Sequence, residues 1–402
     1  MKTISISKEM INPNAIEVCK ILNEYGHQAF IVGGCVRDLM LGTIPKDWDI
    51  TTDAAPQKVI DIFKKTYPTG IQHGTITVAM NNEHFEVTTF RIEGEYVDGR
   101  HPEEVFFVMN VKEDLSRRDL TINSMAYDPI NSILIDPFGG IDDLKNDVIK
   151  AVGNPNSRFK EDGLRIMRTA RFASRFSYEI ETNTLQAMKD NVHVLQKVSK
   201  ERIKDELCKI LSTKYATYGL QILEYTEALQ IACPMIKEIE EYEYSGELTT
   251  RLAILYSKFS AKQVQEELVN LKFSSKEIKQ TCFLIDLIDK YNIANSKNTA
   301  LAYKSFIATI KNFSPEPWEQ CLNQFIILTN SIGSPCKPFI DKYKEEIVFS
   351  RREMSINGND LIADGITSGP QIKSILESCY LEILKNPSIN NKEILLEFIN
   401  EL

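Results

Sequence analysis

The sequence predicts an α+β fold: a head built on a short mixed sheet with helices, followed by all-helical domains. Two patterns carry that expectation. Up to about residue 150, short runs rich in Val, Ile, Thr and Phe alternate with amphipathic runs. Beyond "AVGNPNSRF", Leu and Ile recur at three- and four-residue spacing, broken only by short polar turns. Length adds a third: 402 residues exceed one ordinary core, so several units are expected. The chain is accordingly divided into a head at 1–150 and helical segments at 151–212, 213–310 and 311–402. The helical breaks fall near "STKYATYG", "IANSKNTA" and "NSIGSPCKP".

Within the head, "AFIV", "WDITT", "GTITVAM", "FEVTTF", "EVFFV" and "SILIDPF" read as strands. "PQKVIDIFKKTY" reads as a helix opened by proline, and "DLTINSMAYD" as another. In the second part, "FKEDGLRIMRTARFASRF" reads as one amphipathic helix.

Composition narrows the class. No apolar run approaches the ~20 residues that span a bilayer. The start, "MKTISISKEMINPN", lacks the apolar stretch and cleavage site of a secretory signal. Eight scattered cysteines form no C-x-x-C pair, which suggests neither a zinc site nor a disulfide framework. A reduced, cytoplasmic protein is expected. Net charge is −9, which argues against indiscriminate polyanion binding. Residues 158–204 nevertheless hold eleven Lys/Arg against six Asp/Glu, a basic sector on an acidic chain.

The first chemistry-bearing stretch is "GGCVRDLMLGTIPKDWDI". Strand alternation sends Asp47 and Asp49 to one face, Trp48 and Ile50 to the other. Two such carboxylates suit Mg²⁺, which takes hard oxygens plus substrate phosphates. An isolated D-x-D is more often a solvated strand edge. The glycine turn ahead of it moves the reading: Gly33 and Gly34 let backbone N–H groups approach a phosphate, and Arg37 can neutralise an oxygen. Glu86 in "HFEVTTF" is a candidate third acid, or simply a solvated strand residue. Arg117 and Arg118 precede the expected "DLTINSMAYD" helix as candidate triphosphate clamps, with Asp119 near its start and Asn123 one turn on.

At 100° per residue, Asp162, Arg165, Arg168, Arg171 and Arg175 share one half of a helix, opposite Ile166, Met167, Ala170 and Ala173. A row of guanidiniums repels itself unless anions sit nearby; these could be a ligand's phosphates or Glu side chains elsewhere. Asp162 and Arg165 at i,i+3 would set an acceptor beside a donor fork. That matches the exocyclic amino group and ring nitrogen of cytosine or adenine and mismatches guanine and uracil.

These stretches, together with "RRDLTIN", "DPFGG" and "EDGLRIMRTARF", resemble in order and spacing motifs A to D of the class II CCA-adding enzymes, the bacterial tRNA nucleotidyltransferase and poly(A) polymerase family. "SKERIKDEL" resembles motif E. The match is dense over residues 28–211. It returns in "INGNDLIADGITSGPQIKSIL", where Lys373 departs from the usual glycine.

The resemblance implies a nucleotidyltransferase head, neck, body and tail that add C, C and A to tRNA 3′ ends from CTP and ATP. Asp47 and Asp49 would hold Mg²⁺ as the catalytic acids. Gly34, Arg37 and Arg118 would bind triphosphate, and Asp162, Arg165, Arg168 and Arg171 the nucleotide. The body at 213–310 and tail at 311–402 would hold tRNA, in a monomer or homodimer with no membrane partner. Poly(A) polymerases of the superfamily carry "GRRF" early in the head, where this chain has "GIQHGTITV" with Gly70, His73, Gly74 and Thr75. CC-adding specialists shorten the loop that "FRIEGEYVDGRHPEEVFFV" keeps. An A-adding specialist would keep it too and remains the alternative. A non-catalytic RNA-binding protein is the reading from another class; it predicts decay of head acids and arginines that are all present.

Overall fold

The computed structural model of the protein describes residues 6–93, 105–343, 350–366 and 368–401. It divides into two compact units, the first ending at Ile239 and the second beginning at Glu240. Among the described residues no helix is long and apolar enough to cross a membrane.

In the first unit the strands are β1 (Ala29–Val32), β2 (Asp49–Thr52), β3 (Thr66–Gly70), β4 (Thr75–Met80), β5 (Glu83–Thr89), β6 (Arg91–Glu93), β7 (Val105–Phe107), β8 (Ala126–Asp128) and β9 (Ile133–Ile135). Two-residue pieces, β10 (Val148–Ile149) and β11 (Glu179–Ile180), pair in parallel. Seven strands form one sheet in the order β3-β4-β5-β2-β1-β8-β9. Only β2 and β5 run parallel within it, so the sheet is mixed, as expected. The central strands bury Ile31, Ile50 and Val87 completely. Phe30 and Phe90 stack at 6.1 Å beneath Val111 and Leu115.

The helices of this unit are α1 (Pro13–Glu24), α2 (Gly34–Met40), α3 (Pro56–Ile62), α4 (Val111–Ser116), α5 (Gly140–Lys145), α6 (Pro155–Glu161), α7 (Leu164–Phe176), α8 (Thr182–Asp190), α9 (Lys200–Leu211), α10 (Ala216–Tyr225) and α11 (Ala228–Ala232). Proline at the first position starts α1, α3 and α6, where its missing N–H costs no helical bond.

Three expectations are corrected. "DLTINSMAYD" is not a helix: Thr121–Asn123 form a single 3₁₀ turn, and Ala126–Asp128 become β8 between β1 and β9. Sheet pairing of Ala126 with Val32 overrides the local helical spacing. The helix beginning at Pro56 stops at Ile62, and Thr66–Gly70 pair with β4 instead. The arginine helix is broken at Asp162, whose φ of −144° and ψ of 108° end α6 before α7 begins.

Among the described residues of the second unit the regular structure is all helix. Its elements are α12 (Leu248–Leu255), α13 (Ala261–Asn270), α14 (Ser275–Lys297), α15 (Ala300–Phe313), α16 (Trp318–Ser331), α17 (Lys337–Tyr343), α18 (Gly358–Ala363), α19 (Gly369–Lys385) and α20 (Lys392–Asn400). Capping boxes at Ser260/Gln263 and Ser274/Glu277 open α13 and α14. Tyr303 and Phe339 stack at 4.6 Å in one core, and Leu361, Cys379, Ile383 and Leu395 form another. All eight cysteines stand as thiols.

Candidate active site

The acids come from β2 and its approach. Asp49 is the first residue of β2, half-buried, while Asp47 lies in the bend before it and is exposed. Trp48 and Ile50 are buried on the other side, which matches the alternation read from sequence. Cys35 on α2 fixes this approach: its Sγ donates to the Asp47 carbonyl at 3.0 Å and accepts from the Asp49 N–H at 3.1 Å. Burial, and then the Asp49 charge, push the thiol up to about 12. It stays a neutral bridge.

Glu86 stands opposite Asp49 in the parallel β2–β5 ladder. Burial raises the Asp49 carboxyl, Arg118 opposes, and the Glu86 and Asp47 charges raise it further. Crowded carboxylates around a half-buried acid are a fitting seat for a divalent cation, which would relieve their repulsion. Among the described residues no group of three or more His, Cys, Asp or Glu is arranged to hold an ion unaided. Carboxylates of this kind fit Mg²⁺, which binds one or two of them and completes its shell with substrate phosphates and water.

Above the acids opens a cleft of about 490 Å³. Gly34, Arg37, Asp49 and Arg118 line it from the head, and Asp162, Arg165, Arg168 and Arg171 line it from α7 and the turn before it. Eight of the nine sequence-derived site residues thus share one cavity, with Asp47 outside its lining. Arg117, Asp119, Asn123, Phe172, Arg175 and Arg202 complete it. Eight arginines against three aspartates make a wall suited to a polyanion.

Gly33, at φ +76°, turns β1 into α2, and a Cβ there would lie 2.8 Å from Arg118 Nη1. The turn needs glycine for its backbone and for the guanidinium packed over it. Arg37 is almost wholly buried: it donates to Asp38 at 2.7 and 2.9 Å and to Asn123, and lies over the Phe172 and Phe176 rings at 5.1 and 5.3 Å.

The arginine row is neutralised by acids from other elements. Arg165 pairs with Glu161 at 2.6 Å, Arg168 with Asp119 at 2.6 Å, Arg171 with Glu206 at 2.7 Å, and Arg175 with Asp38 at 3.4 Å. Asp119 is buried. Burial opposes its ionisation, but Arg168 and Arg165 outweigh burial and hold its carboxyl far below the usual range.

Asp162 and Arg165 both line the cleft, and each makes hydrogen bonds with other residues. Asp162 sits in the break, where it accepts from the Leu164 N–H at 3.0 Å and from both Nη atoms of Arg202 at 3.2 and 2.7 Å. Gly163 follows the break with helical dihedrals, and a Cβ there would lie 2.7 Å from the Leu195 nitrogen, so the chain passes too close for any side chain at that position. Sequence reading missed Arg202, Glu206, Glu161 and Asp114 as partners of the site. The signal for two of them lay in "SKERIKDEL", where Arg202 and Glu206 sit one turn apart.

Residues 29–150 match the model of the poly A polymerase head domain, so the sheet-bearing part of the chain is a nucleotidyltransferase head. Residues 177–240 match the RNA and SrmB-binding site of polymerase A, and residues 245–399 match tRNA nucleotidyltransferase domain 2. The chain is 37% identical to the CCA-adding enzyme of Ligilactobacillus salivarius, with 96% of each chain covered. It is 35% identical to that of Lactobacillus johnsonii, again over 96% of each. The crystal structure of the Bacillus stearothermophilus CCA-adding enzyme in complex with CTP superposes with a TM-score of 0.80 at 28% identity, covering 97% and 98% of the two chains. The chain belongs to the CCA-adding enzyme family and is a nucleotidyltransferase.

Proposed function

We propose that this chain adds C, C and A to the 3′ end of tRNA from CTP and ATP, without a nucleic-acid template. The observation that carries the reading is the arginine-lined cleft that brings Asp49 of the head and Asp162 before α7 into one lining. One end suits a triphosphate with its metal, and the other suits a base edge.

The tRNA 3′-hydroxyl attacks the α-phosphorus, a new P–O bond forms, and the α–β bond breaks to release pyrophosphate. Two Mg²⁺ ions held by Asp47, Asp49 and substrate phosphates would activate the hydroxyl and neutralise the leaving group when bound. The protein's share is positioning and charge. Gly34 leaves backbone N–H groups open to phosphate, and Arg118 supplies a guanidinium beside Asp49. Arg37 braces Asn123 from beneath.

Asp162, oriented by Arg202, takes a hydrogen bond from the amino group of C or A, and Arg165 donates to the adjacent ring nitrogen. Uracil and guanine present an acceptor to an acceptor there. Arg168 and Arg171 hold the shape of the base pocket through Asp119 and Glu206. In this reading residues 1–150 do the chemistry, 151–212 read the base, and 213–310 and 311–402 hold tRNA in the cytoplasm. The loop call on "FRIEGEYVDGRHPEEVFFV" rests on residues 94–104, which lie outside the described ones.

The test supplies purified protein with tRNA transcripts lacking CCA, CA or A, with CTP and ATP given separately. Full addition predicts C onto the first two and A onto the third. A-only incorporation or runaway A-tails would replace this reading with an A-adding specialist or a poly(A) polymerase. No incorporation would favour a non-catalytic RNA-binding protein.

A further inference from the structure

Asp114 lies within α4, is 0% exposed, and cannot touch a nucleotide. Its two oxygens nevertheless collect donors from three elements around the site. Oδ1 accepts from Arg117 Nε and Nη2 at 3.1 and 2.9 Å and from the Arg91 N–H at the start of β6 at 3.3 Å. Oδ2 lies 3.4 Å from Arg118 Nη2 and 3.4 Å from Thr51 Oγ1 on β2, two residues along from Asp49.

We infer that Asp114 is a positioning residue for nucleotide binding: it anchors Arg118 at the triphosphate end of the cleft. The inference rests on the proposed role of Arg118. Three facts carry it. Among the described residues Asp114 is the sole hydrogen-bond partner of the Arg118 guanidinium. The other face of that guanidinium is packed over the Gly33 turn, so the group is held between the turn and the buried acid. The same carboxylate sits 3.4 Å from Thr51 Oγ1, whose one proton it shares with the nearer Thr88 carbonyl at 3.2 Å, so the arginine is held beside the strand bearing Asp49. Burial opposes ionisation of Asp114, but Arg117 and Arg118 outweigh burial and hold its carboxyl below the usual range. It is a lasting negative anchor, and an uncharged amide would offer a weaker one.

Asp114→Asn keeps the size and removes the charge. The expected result is a KM for CTP and ATP raised about tenfold with kcat changed less than about threefold, since uniform binding is lost and the chemistry is untouched. Inhibition by inorganic tripolyphosphate should weaken by the same factor. Asp114→Asn combined with Arg118→Ala should be no worse than Arg118→Ala alone, because the anchor has nothing left to hold. A structural role alone would lower the melting temperature and add its effect in full to that of Arg118→Ala.

Unchanged tripolyphosphate inhibition in Asp114→Asn, or full additivity in the double variant, would overturn this inference and leave the role of Arg118 standing. Wild-type inhibition in Arg118→Ala would overturn both. Should Asp114→Asn strand too many buried cations to fold, Asp114→Asn/Arg117→Ala compared with Arg117→Ala gives the same reading with one cation fewer.

Discussion

Arg202 grips Asp162 with both prongs of its guanidinium, Nη1 to Oδ1 at 3.2 Å and Nη2 to Oδ2 at 2.7 Å. The pair joins α9 to the break between α6 and α7 and holds the Asp162 carboxylate in place at the cleft wall. Asp162→Ala should therefore spare tripolyphosphate binding and lower the preference for CTP and ATP over UTP and GTP, by on the order of 10². Competition assays with mixed nucleotides measure this. Undiminished selectivity would move base reading to other residues.

Replacement of Asp49 tests the metal seat. Asp49→Asn, or Asp47→Ala, should reduce incorporation of both CTP and ATP by on the order of 10³, since several kcal/mol of charge stabilisation is lost. Isothermal titration of Mg²⁺ into the nucleotide-loaded protein should lose its heat in parallel. Near-normal turnover would refute the assignment.

The buried Asp119–Arg168 pair predicts an acid-dependent stability. The Asp119 carboxyl is ionised at lower pH folded than unfolded. Its contribution is thus complete above the ordinary carboxylate value near pH ~4 and is lost as pH falls through the depressed one. At pH ~7, Asp119→Asn should cost about 3 kcal/mol, a melting drop on the order of 10 °C. The difference from wild type should narrow steadily below pH ~4. A constant gap across an acid melting series would contradict it.

Gly163→Ala tests the break. Its φ of −58° suits any residue, so only space excludes a side chain. The new methyl would meet backbone at 2.7 Å, at Leu195 N and Val194 C, which cannot rotate away. A loss of about 2 kcal/mol is expected by thermal melting, with base selectivity falling because Asp162 and Arg165 flank the shift.

Cys35 should resist alkylation. With its thiol pushed up to about 12, its thiolate fraction falls by on the order of 10³ relative to an ordinary cysteine. Mass spectrometry after iodoacetamide at pH ~8 should find Cys35 unmodified while activity persists. Rapid labelling at that position would mean the bridge to Asp47 and Asp49 opens.

How much of this was legible depended on whether the determinant was local. Asp47, Asp49, the Gly33–Gly34 turn and the row from Arg165 to Arg175 follow from periodicities of two and 3.6 within one segment, and the structure gathers nearly all of them into one cleft. Asp162 was read as helical because the i,i+3 spacing is satisfied, whereas the structure breaks there, just before a glycine crowded by Val194 and Leu195, some thirty residues away. "DLTINSMAYD" carries a helical spacing that its place between β1 and β9 overrules. The acids that meet the arginines lie in α2, α4, α6, α9 and the turn at Asp119. No pattern along the chain could announce those meetings, although a row of like charges does announce that counter-charges must exist.

The guanidiniums of that row reach the cleft already married to carboxylates. Their partners come from α2, α6, α9 and the turn at Asp119, so the spacing of the row is set by four separate pieces of the chain. Less ordering is then left to do when a ligand arrives, and a change at any one of those distant acids would be felt in the cleft.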